Sequence, residues 1–287
     1  MLRILSGRYA NGGQKSMATG IAGTAGTAGT RNSTTQAVRK AVRLLNLFAE
    51  SERTTLGVTE LSALTGWSKS SVSRLLAALE DGGLVRQDPV TGRYAPGLQL
   101  VALAGAALAG DALYQAAHPH LVTLAAESGE TADLSVVDEG RLLTIDEVPS
   151  AQPIKLSGWV GARHPLHGSS SGKILLAGLS DQRRAAILDA GLPAVAPRTT
   201  TDRGQLLHEL ERARVAGYAL SVEELAEGLT STAAPVRDHT GAVLAAISAA
   251  GPSFRFTGRH LDDCIARVKE AAAAASRGLG YRVSAAS

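Results

Sequence analysis

Residues 57–83 read Gly-Val-Thr-Glu-Leu-Ser-Ala-Leu-Thr-Gly-Trp-Ser-Lys-Ser-Ser-Val-Ser-Arg-Leu-Leu-Ala-Ala-Leu-Glu-Asp-Gly-Gly. The stretch spells two short helices around a tight turn. Thr59 is placed to cap the first helix, whose apolar side carries Leu61 and Leu64. Gly66 ends it, because glycine tolerates the positive φ that a helix C-terminus often needs. Ser68 caps the second helix through its hydroxyl. There Val72, Leu75, Leu76 and Leu79 recur at i, i+3, i+4 and i+7, a stripe to be buried. The other face shows Lys69, Ser70, Ser73 and Arg74, with Ser71 beside them. Any amphipathic helix pair has one wet face. A short, basic, hydroxyl-rich leading face nevertheless suits the DNA major groove, where the first turns of a helix meet base edges and basic groups meet phosphates.

The flanks extend the pattern. Gln36 to Glu50 places Val38, Ala41, Val42, Leu45 and Phe48 on one helical face, with Arg39, Lys40 and Arg43 away from it. Each of these charges alone is more often a solvated surface group than a phosphate contact. After Gly82-Gly83, Leu84 to Gln87 reads as a strand, Asp88 to Gly92 as a turn, and Arg93-Tyr94 as the returning strand. Helix, helix, helix, hairpin is a winged helix-turn-helix, with Arg86 and Arg93 on the wing. Leu98 to Leu113 is rich in Ala and Leu and keeps helical spacing. Such an apolar helix outside a core reads as a linker packed on a second copy. Pro119 is expected to break or kink it before a second helix that ends at Gly129.

Composition sets the limits. The 287 residues suffice for two domains; 45% are hydrophobic and 19% charged, a globular balance. The single Cys264 excludes an intrachain disulfide framework and fits a reducing cytoplasm. No apolar run approaches the ~18 residues that span a bilayer, and Met1 to Ala10 shows no secretory signal. Net charge is +3, unevenly placed. Residues 1–30 carry three basic and no acidic groups, residues 31–95 nine and six, and residues 96–287 17 and 20. Positive potential therefore sits around the helix pair, which favours a polyanionic partner for that third of the chain. Residues 1–34, with their Gly-Thr-Ala triplets, read as a disordered tail. The winged unit then covers 35–96, the linker 97–117 and a further domain 118–283.

In that domain the period becomes two. Ala132, Leu134 and Val136 alternate with polar residues, Glu139-Gly140 turns, and Leu142 to Val148 returns. A further strand is expected near Ile154 to Leu156. Helices follow at 181–190 and 203–216, a strand at 218–220, a strand pair at 230–237 and 243–250, and a last helix at 258–278. The fold class is α+β, a mostly antiparallel sheet with helices packed on it.

Gly168-Ser169-Ser170-Ser171-Gly172 matches G-x-S-x-G, the nucleophile elbow of α/β-hydrolases, with Ser170 as nucleophile and His208, His239 or His260 to follow. The elbow needs a buried strand just before it, and Arg163-His164-Pro165-Leu166-His167 does not make one. A second reading places the serines at the start of a helix over 173–179, where free N–H groups and the helix dipole bind anions such as a carboxylate. Plain N-capping would need the same residues. His118/His120 and His164/His167 lack a cysteine or carboxylate at ligand spacing, and no cofactor motif is present.

Three ordered blocks resemble the isocitrate lyase regulator (IclR) family: Val58 to Val85; Pro165 to Ala177; and Gly217-Tyr218 through Glu223-Glu224, Glu227-Gly228-Leu229, Ala233 to Val236 and Ala246-Ile247-Ser248 to Gly251-Pro252. The similarity covers about 35–280. It implies a ligand-responsive transcriptional regulator, commonly a repressor, rather than an enzyme. It implies a GAF-like effector domain that binds small organic acids, a double-stranded DNA operator as partner, and a homodimer or homotetramer. Carried across by position, the ligand-lining residues fall at Ser170, Ser171, Ser221, Leu229, Ser231, Ser248 and Ala250, with His164 near the entrance. The family often has an acidic residue where Ser221 stands and a serine where Ala250 stands, so a larger or less polar acid is expected to fit here.

Overall fold

The structure is a computed structural model and describes residues 28–51 and 53–282. The first 27 residues of the expected tail lie outside that range. Residues 28–34 are helical instead, because α1 runs over Ala28–Glu50.

The N-terminal unit closes around one small core. α2 spans Val58–Thr65 and α3 Lys69–Asp81. Gly66 ends α2 in the left-handed region at φ 72, as its place in the turn requires. The N-cap of α2 is Gly57 rather than Thr59; Gly57 N–H donates to Glu60 Oε2 at 2.8 Å. Ser68 caps α3, its hydroxyl accepting from Ser71 N–H at 3.3 Å. Val72, Leu76 and Leu79 are buried with Leu61, while Leu64 is exposed. α1 turns differently from the expected stripe: Leu44, Leu47 and Phe48 are buried, and Val38 and Val42 face solvent. Its packing side is thus one step round from the one expected.

The wing pairs β1 (Val85–Gln87) with β2 (Tyr94–Pro96), antiparallel. Asp88 Oδ1 accepts from the N–H groups of Val90 and Thr91 and shapes the turn. Leu56 bridges to Tyr94 with two backbone hydrogen bonds of 2.9 Å, a third strip of sheet without a sequence signal.

The linker breaks at a different place from the one expected. α4 covers Gln99–Ala109 and α5 Ala112–Ser128, with Pro119 inside α5 and the two axes bent by 96°. Gly110 ends α4 and Asp111 starts α5 by accepting from Tyr114 N–H at 2.9 Å. A capping aspartate thus outcompetes the proline as the breakpoint. No residue of α4 is buried. Among the described residues no single helix is long and apolar enough to cross a membrane.

The C-terminal unit is a six-stranded antiparallel sheet. In chain order its strands are β3 (Thr131–Asp138), β4 (Arg141–Val148), β5 (Arg163–His164), β6 (Ala219–Val222), β7 (Leu229–Arg237) and β8 (Val243–Pro252). Their spatial order is β5-β4-β3-β8-β7-β6. The strand expected at 154–156 is absent; those residues form a loop, and the edge strand is the two-residue β5. α5 and α9 (Gly258–Gly278) pack on one face over Ala132, Leu134, Val236, Ile247 and Ala249. α6 (Ser170–Gly178) and α8 (Arg203–Ala216) cover the other, over Ala233 and Ala246. α7 (Asp181–Asp189) lies between those two in sequence. Both faces are covered, so the polar residues alternating along β3 point into a second interior, not into water.

Candidate DNA-binding and effector sites

The leading turns of α3 present Lys69, Ser70, Ser73 and Arg74 to solvent. Arg74 Nε donates to the Ser70 carbonyl at 3.3 Å, which steadies the guanidinium along the helix. Ser70 Oγ lies 3.2 Å from the capping Ser68 Oγ, and Ser71 is half-buried. Of the helix α1 charges, Arg39 is exposed, Lys40 sits over the Trp67 ring at 5.1 Å, and Arg43 pairs with Glu50 at 2.6 Å.

The two wing arginines differ. Arg86 is exposed. Arg93 turns inward: its Nε donates to Thr55 Oγ1 at 3.0 Å, and its Nη2 to the Thr55 carbonyl at 2.9 Å and Glu60 Oε2 at 2.6 Å. The Gly57 N–H and then the Arg93 guanidinium hold the Glu60 carboxyl below its usual value. Arg93 therefore ties wing to α2, a role that a charge on a hairpin does not reveal in the sequence.

In the C-terminal unit a small cavity of about 40 Å³ lies between the sheet and the start of α6. Ser169 caps α6 by accepting from Gly172 N–H at 3.1 Å. The N–H groups of Ser170 and Ser171, in the first turn, precede any intrahelical acceptor. Ser170 Oγ lies 2.8 Å from Ser231 Oγ, locking α6 to β7. Of the positions expected from the family resemblance, Ser170, Ser171, Leu229, Ser231, Ser248 and Ala250 line this one cavity. Ser221 and His164 do not. Ser221 is buried and donates to the Gly168 carbonyl at 3.4 Å. His164 stands behind the wall, 4.7 Å from the lining Trp159 ring; burial, helped by the Arg141 charge, lowers its pKa.

Sequence reasoning missed the acidic part of the lining. Asp133 and Glu147 both face the cavity. Burial pushes Asp133 up to about 7, against the Ser248 hydroxyl that donates to its Oδ1 at 2.7 Å, and the Glu147 charge adds to the rise. Glu147 accepts from Gly158 N–H at 2.9 Å and Trp159 N–H at 3.0 Å, so it pins the loop that roofs the cavity. The signal was the alternation itself: Asp133 sits between Ala132 and Leu134, on the polar face of the strand.

The arrangement does not make a hydrolase elbow. A two-residue edge strand and a short 3-10 turn, Leu166–Gly168, precede Ser170. Among the described residues no histidine is hydrogen-bonded to Ser170. His260 is held by Glu130 at 3.0 Å and His167 by the Pro193 carbonyl at 3.0 Å. Nor is Cys264 a reactive thiol: burial, with Glu130 nearby, pushes it up to about 11.

Comparison with known proteins agrees with this geometry. Residues 37–89 match the IclR helix-turn-helix domain and residues 105–277 the bacterial transcriptional regulator IclR C-terminal domain. The HTH-type transcriptional regulator XynR of Escherichia coli is 31% identical over 86% of this chain and 98% of its own length. The transcriptional repressor IclR of Escherichia coli is 32% identical over 83% and 87%. A crystal structure of an IclR homolog from Microbacterium hydrocarbonoxydans, complexed with 4-hydroxybenzoate, superposes with a TM-score of 0.73 at 27% identity, covering 85% of this chain and 98% of that one. With both of its domains matched in order, the chain belongs to the IclR family of transcriptional regulators.

Proposed function

We propose that the protein is a repressor whose affinity for a partly palindromic operator is set by a small organic acid bound beneath the start of α6, and that it performs no catalysis. The observation that carries this reading is the pairing, in one chain, of an exposed basic recognition helix with a walled polar cavity. Ser70, Ser73 and Arg74 are the base-edge candidates, with Lys69, Arg39 and Arg86 on phosphates. Arg93 drops out of the contact set because its guanidinium is spent on Thr55 and Glu60, while Lys40 and Arg43, the latter in an exposed surface pair with Glu50, stay among the phosphate candidates. The repressor relative and the hydroxybenzoate-bound homolog support repression and an acid ligand respectively.

Arg74→Ala is expected to weaken operator binding roughly 10- to 100-fold at fixed salt, the range for one specific base contact of about 1–3 kcal/mol, with the melting curve unchanged. Unaltered affinity in a fluorescence-anisotropy titration overturns the recognition-helix assignment.

The working unit is a homodimer, or a tetramer built from two of them, acting in the cytoplasm. α4 supports this: it is apolar, none of its side chains is buried, and Val101 is 68% exposed. Two copies of such a helix hide each other's apolar surface and set two recognition helices about 10 bp, or a multiple, apart. Val101→Glu is expected to shift the protein towards monomer in analytical ultracentrifugation and to lower operator affinity with it. A sedimentation profile identical to the parent's would remove α4 from the interface.

A further inference from the structure

The acid-binding reading leaves half of the cavity unexplained. A site meant only for an anion has no use for two carboxyls in its wall, yet Asp133 and Glu147 are both there, and none of the lining residues is basic. Glu147 is occupied in holding the roof through the N–H groups of Gly158 and Trp159. Asp133 is not fully occupied. Ser248 and Ser135 both donate to its Oδ1, at 2.7 and 3.5 Å, and no protein hydrogen bond reaches Oδ2 among the described residues.

The strand register places Asp133 relative to the anion end. Asp133 pairs with Ser248, and Ser248 with Ala233; the next row on the same face is Thr131, Ala250 and Ser231. Ser231 touches Ser170 at the start of α6. From Ser231 to Asp133 is two strands across and one same-face step along, about 12 Å between Cα atoms. Once both side chains are subtracted, the span matches a single ring carrying a substituent at each end; the cavity itself measures about 40 Å³, so the roof at Gly158 and Trp159 has to lift to admit it. The walls between are apolar: Leu142, Leu156, Leu225, Leu229 and Trp159.

We infer that the effector is an acid with a hydrogen-bond donor, a hydroxyl or protonated amine, at the end opposite its carboxylate, and that Asp133 is the residue that selects it. The inference rests on the acid-binding reading above. The first turn of α6 takes the carboxylate. Asp133 Oδ2 accepts from the distal donor, in a largely buried site where an unmet polar group is unfavourable. A ligand lacking the donor leaves the carboxyl unmet; a ligand with a second carboxylate meets like charge.

The experiment is isothermal titration calorimetry of the full-length protein with four probes: benzoate, 4-hydroxybenzoate, terephthalate and phenol. Binding of 4-hydroxybenzoate at least tenfold tighter than benzoate is expected, with terephthalate weaker than benzoate and phenol weaker than 4-hydroxybenzoate. In Asp133→Ala the ratio between 4-hydroxybenzoate and benzoate should collapse towards one. Asp133→Leu, similar in volume and without an acceptor, should collapse it as well, and serves if the alanine variant does not fold. A merely structural Asp133 would weaken both acids alike and leave the ratio intact. If both acids bind with equal strength to the parent, or the ratio survives in either variant, the role of Asp133 is overturned while the acid-binding reading stands. If neither acid binds, or phenol matches 4-hydroxybenzoate, the acid-binding reading falls, and the inference with it.

Discussion

Lys173→Met is expected to destabilise the C-terminal unit by about 3–5 kcal/mol at neutral pH, the range for removing one partner of a buried ion pair. Lys173 is 3% exposed within α6, and its ammonium lies between two acids. Nζ donates to both Glu224 oxygens at 2.7 Å and lies 2.7 Å from Glu209 Oε2. One cation thus ties α6 to α8 and to the segment after β6. Methionine fills much the same volume and leaves two carboxylates facing each other with the central ammonium gone.

The pH dependence distinguishes this cause from lost packing. Burial raises the Glu209 pKa, but the hydrogen bond and charge of Lys173 outweigh it and leave the carboxyl below its ordinary value. In the parent, that contribution is present above the ordinary carboxylate range and is lost as pH falls through the depressed value. In the variant the sign reverses: each carboxylate disfavours ionisation of the other, so folding improves as pH falls. The stability gap should be widest near pH 7–8 and narrow towards pH 4. Chemical denaturation at several pH values gives the answer, and a gap independent of pH would show that the cation is not what matters.

Gly172→Ala is the second large effect, and it bears on the G-x-S-x-G reading. A Cβ at residue 172 would sit 1.9 Å from the Leu166 carbonyl oxygen and 2.6 Å from its carbon. Both are backbone atoms of the turn that leads into α6, so no side chain can swing aside. The helix must move off the turn, which is expected to destabilise the unit by about 3 kcal/mol or more and to abolish effector binding. Ser170→Ala, by contrast, removes one hydroxyl contact and should leave the fold nearly intact. The glycine of the motif is required by close approach, with no nucleophile involved. A Gly172→Ala protein that melts with the parent and still answers to an acid would contradict this.

The helix-turn-helix was legible because short-range rules agree there: a serine cap, a left-handed glycine and a four-residue apolar spacing all place α3 at Lys69–Asp81. The wing was legible for the same reason, through Asp88 and Gly92. What the sequence hid depends on long-range partners. The inward turn of Arg93 requires Glu60, 33 positions away. The break at Gly110-Asp111 depended on weighing an aspartate cap against a proline, and the proline at Pro119 is carried within α5. In the site, the serines of 168–172 carry their own local signature. Asp133 and Glu147 do not, because period-two alternation shows that two faces differ but not that both are covered.

That double cover has a consequence for how such proteins diversify. Along β3, Thr131 and Asp133 face the cavity while Ala132 and Leu134 face the core; along β8, Ser248 and Ala250 face the cavity while Ile247 and Ala249 face the core. Cavity lining and core packing are written on alternate letters of the same strands. A lineage can exchange the cavity-facing letters one at a time without touching the packing beneath α5 and α9. New effector specificities are then reachable by single substitutions from a chain that stays folded at each step.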